Sequence, residues 1–127
     1  MICCKEQKAS GKAEALASMQ QVIETLLGPG GCPWDKAQTP ASLCDNLVEE
    51  VFELTHAIRQ GDSEDVREEL GDVLFLVLLI SELEKRTGGA GLAEALERGA
   101  SEMIRRHPHV FGEAEVNSRA ELIRNWA

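Results

Sequence analysis

The chain has 127 residues, enough for one domain with a real core but not for two. Hydrophobic residues at 43% and charged residues at 28% fit a soluble globular protein, and aromatics at only 4%, with no tyrosine, favour helices over a sheet. A net charge of -9 argues against a nucleic-acid backbone as partner, because that calls for a basic surface.

The opening MICCKEQKAS has no apolar core segment or cleavage pattern, so no secretory signal is expected and residues 1–10 are expected to be disordered. The longest apolar run, 73–80, falls far short of the roughly 20 residues of a membrane span. A cytoplasmic protein is expected, and no membrane partner. Cys3, Cys4, Cys32 and Cys44 lack C-x-x-C spacing; reduced thiols and no zinc site are expected.

From about Lys12 to Leu27, apolar residues recur at Leu16, Met19, Val22, Ile23, Leu26 and Leu27, the spacing of an amphipathic helix. Gly28-Pro29-Gly30-Gly31 ends it. A loop over 28–40 comes next, carrying GCPWDK. Two readings of Trp34 stand side by side there: a cap on the core, or a ring that stacks on a base while Lys36 reaches a phosphate. Thr39 and Pro40 read as N-cap and first residue of a helix that runs to about Gln60. On it Leu43, Leu47, Val51, Leu54 and Ile58 form the expected core stripe, and Asn46, Glu50, Glu53 and Ala57 line its border.

Gly61-Asp62 turns the chain, and Ser63 is the expected cap of a helix running to about Thr87. Residues 73–80 are apolar all round, so this helix should be covered on every side. A domain this small has few elements to do that, and a homodimer or homotetramer is the resulting expectation. After Gly88-Gly89-Ala90-Gly91 a fourth helix should run from about Leu92 to Arg106, ending in Arg105, Arg106 and His107 before Pro108. These cations either meet phosphates or satisfy the helix C-terminus. His109, Val110 and Phe111 are expected to fold back onto the bundle, and 117–126 to form a short last helix.

The chemistry concentrates in 49–72, EEVFELTHAIRQGDSEDVREELGD. Glu50-x-x-Glu53 and Glu69-x-x-Asp72 each place two acids on one helical face. Glu69 and Asp72 continue into Leu76, Leu79, Ile80 and Leu83, so they point where the apolar residues point. A Glu-x-x-Glu pair alone is common on solvated faces. Two pairs beside apolar stripes, flanking one turn, are not. Crowded carboxylates withdrawn from water need protons, basic partners or cations. With no basic run nearby, a hard divalent metal is the simplest remedy, and all-oxygen ligation suits Mg²⁺ or Mn²⁺.

GCPWDKAQT, SLCDNLVEEVFEL, GDSEDVREELGDVLF and IRRHPHVFG, in this order and spacing, resemble the MazG nucleoside triphosphate pyrophosphohydrolases over about residues 16–126. The resemblance implies one all-α, MazG-like domain over 1–127: a helical bundle of four main helices plus a short C-terminal one, oligomeric. It implies Mg²⁺-dependent hydrolysis of a nucleoside triphosphate to monophosphate and pyrophosphate, with nucleotide-pool house-cleaning as the expected role. The family's relatives include dimeric dUTPases and phosphoribosyl-ATP pyrophosphohydrolases. The family pattern puts metal ligands at Glu50, Glu53, Glu69 and Asp72; Glu49 stands where some relatives add to the metal site. Glu49 or Glu53 is then the candidate proton acceptor, and Trp34, Lys36, Arg105 and Arg106 the candidate substrate contacts. Three departures stand out: Cys44 where relatives often have a basic residue, Phe52 for a usual tyrosine, and Ala127 alone after Asn125-Trp126.

Two other classes share parts of this pattern. A di-iron bundle needs Glu-x-x-His twice, and here Glu53-x-x-His56 is followed by Glu-x-x-Asp instead. The alternative to an enzyme is a non-catalytic helical module that binds nucleotide or partner.

Overall fold

The structure, a computed structural model, describes residues 11–113, 118–124 and 126. Expectations for residues 1–10, Asn117 and Asn125 therefore lie outside the described residues. Those described form helices and no strand, and none of the helices is long and apolar enough to cross a membrane. They group into two compact units, one up to Gly88 and one from Gly89 on.

In the first unit, α1 (Lys12–Leu27) ends at the glycine-proline stretch. The Cys32 N–H returns to the Leu26 carbonyl at 2.9 Å, folding the chain tightly over the helix end. A Cβ at Gly31 would run into that same carbonyl, so the close approach requires glycine. Where a plain loop was expected, Pro33–Lys36 forms one helical turn, α2, with proline at its first position. Thr39 does act as a cap: Ser42 N–H donates to Thr39 Oγ1 at 3.1 Å and Thr39 N–H donates to Ser42 Oγ at 2.9 Å. It opens a 3₁₀ turn, Ala41–Leu43, which leads into α3 (Cys44–Gln60).

Gly61, at φ 73°, closes α3 in the left-handed conformation that glycine adopts without steric cost. The cap of α4 (Ser63–Arg86) is Asp62 rather than Ser63. Its Oδ1 accepts from Glu64 N–H at 3.0 Å and Asp65 N–H at 3.2 Å, because the turn leaves Asp62, not Ser63, extended. The core joins Ile23 and Leu27 of α1, Leu43, Ala57 of α3, and Leu76, Leu78, Leu79 and Leu83 of α4.

The stripe expected to bury α3 does so only in part. Leu43 is buried and Leu47 and Leu54 are half-buried, but Val51 and Ile58 are exposed, and Ala57 from the acid-bearing border is buried instead. The helix meets α4 along its acid edge. Within the single chain α4 leaves one face open, where Leu70, Leu74 and Val77, one face by their spacing, are exposed.

The second unit holds α5 (Leu92–Arg106), α6 (Pro108–Phe111) and α7 (Arg119–Arg124). None of its described side chains is buried, and Val110 and Phe111, expected to pack back, are exposed.

Removing the α4 cap by Asp62→Ala should cost about 1 kcal/mol. Gly31→Ala, which drives a methyl into backbone, should cost about 1–3 kcal/mol. Thermal unfolding followed by circular dichroism checks both; a G31A melting point equal to the parent's would refute the close-approach argument.

Candidate metal centre

Two helices joined by a two-residue turn must run side by side, and that turn is what aligns the acid pairs of α3 and α4. Glu50, Glu69 and Asp72 each offer a carboxylate oxygen, all within 4.8 Å of one another. Glu50 and Glu69 are half-buried, whereas Glu53 and Asp72 are exposed, so the expectation that all four acids would be partly withdrawn from water holds for two of them. The Oε2 atoms of Glu50 and Glu69 are each fully buried without a hydrogen-bond donor. An orphaned buried carboxylate oxygen is expensive unless a proton or cation meets it.

The titration of the cluster carries the same strain. Burial first, then the neighbouring charges of Glu53 and Asp72, push the Glu50 carboxyl above its ordinary value. Glu69 is raised to about 7, first by burial, then by hydrogen bonding to Glu53 and its charge, then by Glu50. In the absence of metal the cluster therefore keeps a proton near neutrality. Glu53, although outside the three-oxygen group, interacts with both Glu50 and Glu69. Glu49 is exposed and is not part of the three-oxygen group.

Beside the cluster lies an open groove of about 430 Å³ lined by Phe52, Glu53, His56, Ala57, Asp65 and Glu69. Sequence reasoning did not assemble it. The signal was present: Phe52 and His56 are four residues apart, as are Asp65 and Glu69, so each pair shares a helical face.

None of the remaining candidates belongs to the three-oxygen group. Trp34 is 53% exposed on α2 and is no core cap, and Lys36 beside it is exposed. Between them Asp35, which nothing in the sequence singled out, is buried. Arg105 and Arg106 end α5 in the second unit, and both turn to Glu102 one helical turn earlier. Arg105 Nη2 lies 3.0 Å from Glu102 Oε2, and Arg106 Nε 3.7 Å from the same oxygen. The Arg105 hydrogen bond above all holds the Glu102 carboxyl below its usual value. The Arg106 guanidinium also sits 5.5 Å from the Trp126 ring centroid, and the His107 ring meets that tryptophan edge-on at 5.6 Å.

These features define an all-α protein whose neighbouring helices carry Glu-x-x-Glu and Glu-x-x-Asp, with three of the acids close enough to share an ion. The chain belongs to the MazG nucleotide pyrophosphohydrolase domain family, whose profile matches residues 38–111. It is 39% identical over 110 residues to "Uncharacterized protein YabN" of Bacillus subtilis, covering 87% of this chain and 22% of that protein. It is 34% identical over 106 residues to the nucleoside triphosphate pyrophosphohydrolase of Escherichia coli K12, covering 83% of this chain and 40% of that protein. Among solved structures, the mazG-related protein of Thermotoga maritima matches with a TM-score of 0.70 at 27% identity, over 87% of this chain and 94% of that one. The chain thus spans well under half the length of the two curated relatives.

The raised carboxyl of Glu69 fixes a sign for stability against pH. From about 4.5 to about 7 the folded, metal-free protein holds a proton that the unfolded chain has released. Stability present below that window is therefore lost as pH rises through it. Melting points in EDTA should fall across this window, and Glu69→Gln should flatten the slope. A divalent cation that binds the cluster should restore the melting point above pH 7, where it no longer competes with the proton. A metal-free parent whose pH slope matches that of E69Q would contradict the assignment.

Proposed function

We propose that this chain is a Mg²⁺-dependent nucleoside triphosphate pyrophosphohydrolase that cleaves its substrate to monophosphate and pyrophosphate, cleaning the cytoplasmic nucleotide pool. The observation that carries this is the convergence of Glu50, Glu69 and Asp72 within 4.8 Å with two orphaned carboxylate oxygens, on a chain of this family. The donor set fits the ion: oxygen only, from carboxylates, as a hard divalent cation prefers. Glu50, Glu69 and Asp72 would hold it, with Glu53 completing the family's quartet. When bound, such an ion polarises phosphoryl oxygens, offsets their charge and lowers the pKa of a bound water.

The remaining tasks fall to the chain's own side chains. Of the two acids proposed as proton acceptor for the attacking water, Glu53 is better supported than Glu49. Glu53 lines the groove and interacts with Glu50 and Glu69, whereas Glu49 is not among the residues that line it. Lys36 of the first unit and Arg105 and Arg106 of the second are proposed phosphate contacts, and Trp34 a further substrate contact. The ion pairs of Arg105 and Arg106 with Glu102 are partly exposed, and exposed pairs are worth about 0–1 kcal/mol, so a polyphosphate can displace the carboxylate.

The chain is also proposed to assemble as a homodimer or homotetramer. Leu70, Leu74 and Val77 on α4 and Val48, Val51 and Ile58 on α3 are apolar and exposed within the single chain. A second copy would remove both faces from water.

Glu53→Gln and Asp72→Asn should each lower metal-dependent pyrophosphate release by about a hundredfold or more while leaving helicity unchanged. EDTA should abolish release and Mg²⁺ restore it. Full activity in either variant, or products that are diphosphate and orthophosphate, would sink the proposed reaction. For assembly, Leu74→Glu should shift the mass measured by light scattering from oligomer to monomer, and a monomeric parent would dismiss the interface.

A further inference from the structure

The groove beside the acid cluster has a composition that tells which end of a nucleotide it accepts. Its lining holds three carboxylates, Glu53, Asp65 and Glu69, one imidazole and one aromatic ring, and no lysine or arginine. Glu53 and Glu69 are shared with the acid cluster; beyond them the groove, with Phe52, His56 and Asp65, offers a polyphosphate no lysine or arginine. An uncharged heterocycle needs none. Phe52, 70% exposed, offers a ring face on which a base can stack. The carboxylate of Asp65 has no hydrogen-bond or ion-pair partner among the described residues, and an ionised carboxylate can only accept. It lies one helical turn before Glu69 and is not part of the three-oxygen group at Glu50, Glu69 and Asp72. The groove volume of about 430 Å³ is within the roughly 300–1,000 Å³ of small-molecule sites.

We propose that this groove is the base subsite of the pyrophosphohydrolase: Phe52 is the stacking platform, and Asp65 selects bases that carry an exocyclic amino group. This rests on the reading of the acid cluster given above. It places the phosphates at Glu50, Glu69 and Asp72, and the base across Glu53 and Glu69 toward His56 and Asp65. Two exposed rings of the first unit compete for the platform role, Phe52 and Trp34. Only Phe52 lines the groove that shares Glu53 and Glu69 with the cluster.

The test uses the whole chain, Mg²⁺ and non-hydrolysable α,β-imido analogues of ATP, CTP and UTP, with affinities from calorimetry. The parent should bind the amino-bearing ATP and CTP analogues about tenfold more tightly than the UTP analogue. Phe52→Ala should weaken all three by about tenfold, and Asp65→Ala should erase the preference while leaving UTP-analogue binding within about twofold. Mn²⁺ affinity should stay at the parental value in both variants, showing the cluster intact. The inference is overturned if Trp34→Ala weakens binding and F52A does not, or if D65A leaves the preference in place. It is equally overturned if F52A changes the oligomeric mass but no analogue affinity, since the groove then belongs to a second copy. Failure of the reaction itself reads out separately, as absence of pyrophosphate from hydrolysable triphosphates.

Discussion

Everything in the first unit answers to one electrostatic constraint: α3 and α4 must be held together along the very edge where their carboxylates repel. The holding is done by chain geometry and apolar contact. Gly61 closes one helix in a conformation that costs other residues, and Asp62 opens the next by accepting two backbone N–H groups. Ala57, small and buried on the acid edge of α3, permits close approach, while Leu76, Leu79 and Leu83 anchor α4. Each buried leucine contributes about 1.5–3 kcal/mol, so a few of them outweigh the unfavourable crowding of partly hydrated acids. The residual strain appears where it cannot be relieved internally, as two oxygens without donors and a Glu69 carboxyl raised to about 7.

That division explains how much was legible in the sequence. Helix limits such as Lys12–Leu27 and Leu92–Arg106 could be read because glycine and proline punctuate them, and these effects are local. The acid pairs could be read because spacing of three residues defines a face wherever a helix goes. What periodicity cannot supply is the partner of a face. Val51 and Ile58 are the apolar side of α3, yet α4 takes the other edge, because burial in this chain is decided by which residues the turn at Gly61 presents. The groove of Phe52, His56 and Asp65 was hidden for the same reason: each residue is ordinary on its own helix and informative only opposite the other. Asp62 and Ser63 are equally good caps by type, and only backbone direction chose between them.

The basic residues show the opposite case, in which type was read correctly but the local competitor was missed. Arg105 and Arg106 close α5, where their charge is favourable for the helix end, and Glu102 engages both. A glutamate three and four residues before two arginines is the ordinary pattern of helix-surface pairs. It fixes where these cations rest, and the weakness of exposed pairs leaves them open to a more highly charged anion.

The selectivity of the cluster comes from the ligands it withholds. Affinity for divalent ions at mixed sites rises from manganese toward copper, so the proposed magnesium site could not win by strength; it would have to deny softer ions the ligands they prefer. Glu50, Glu69 and Asp72 supply neither sulfur nor imidazole. The one imidazole on α3, His56, lines the groove instead and is not part of the three-oxygen group, and the described thiols, Cys32 and Cys44, are not part of it either. The all-carboxylate donor set is the kind that suits a hard cation such as the one proposed. Held by Glu50, Glu69 and Asp72, such an ion would suit an anionic ligand that must leave again, because it would supply positive charge without soft, tightly binding protein ligands.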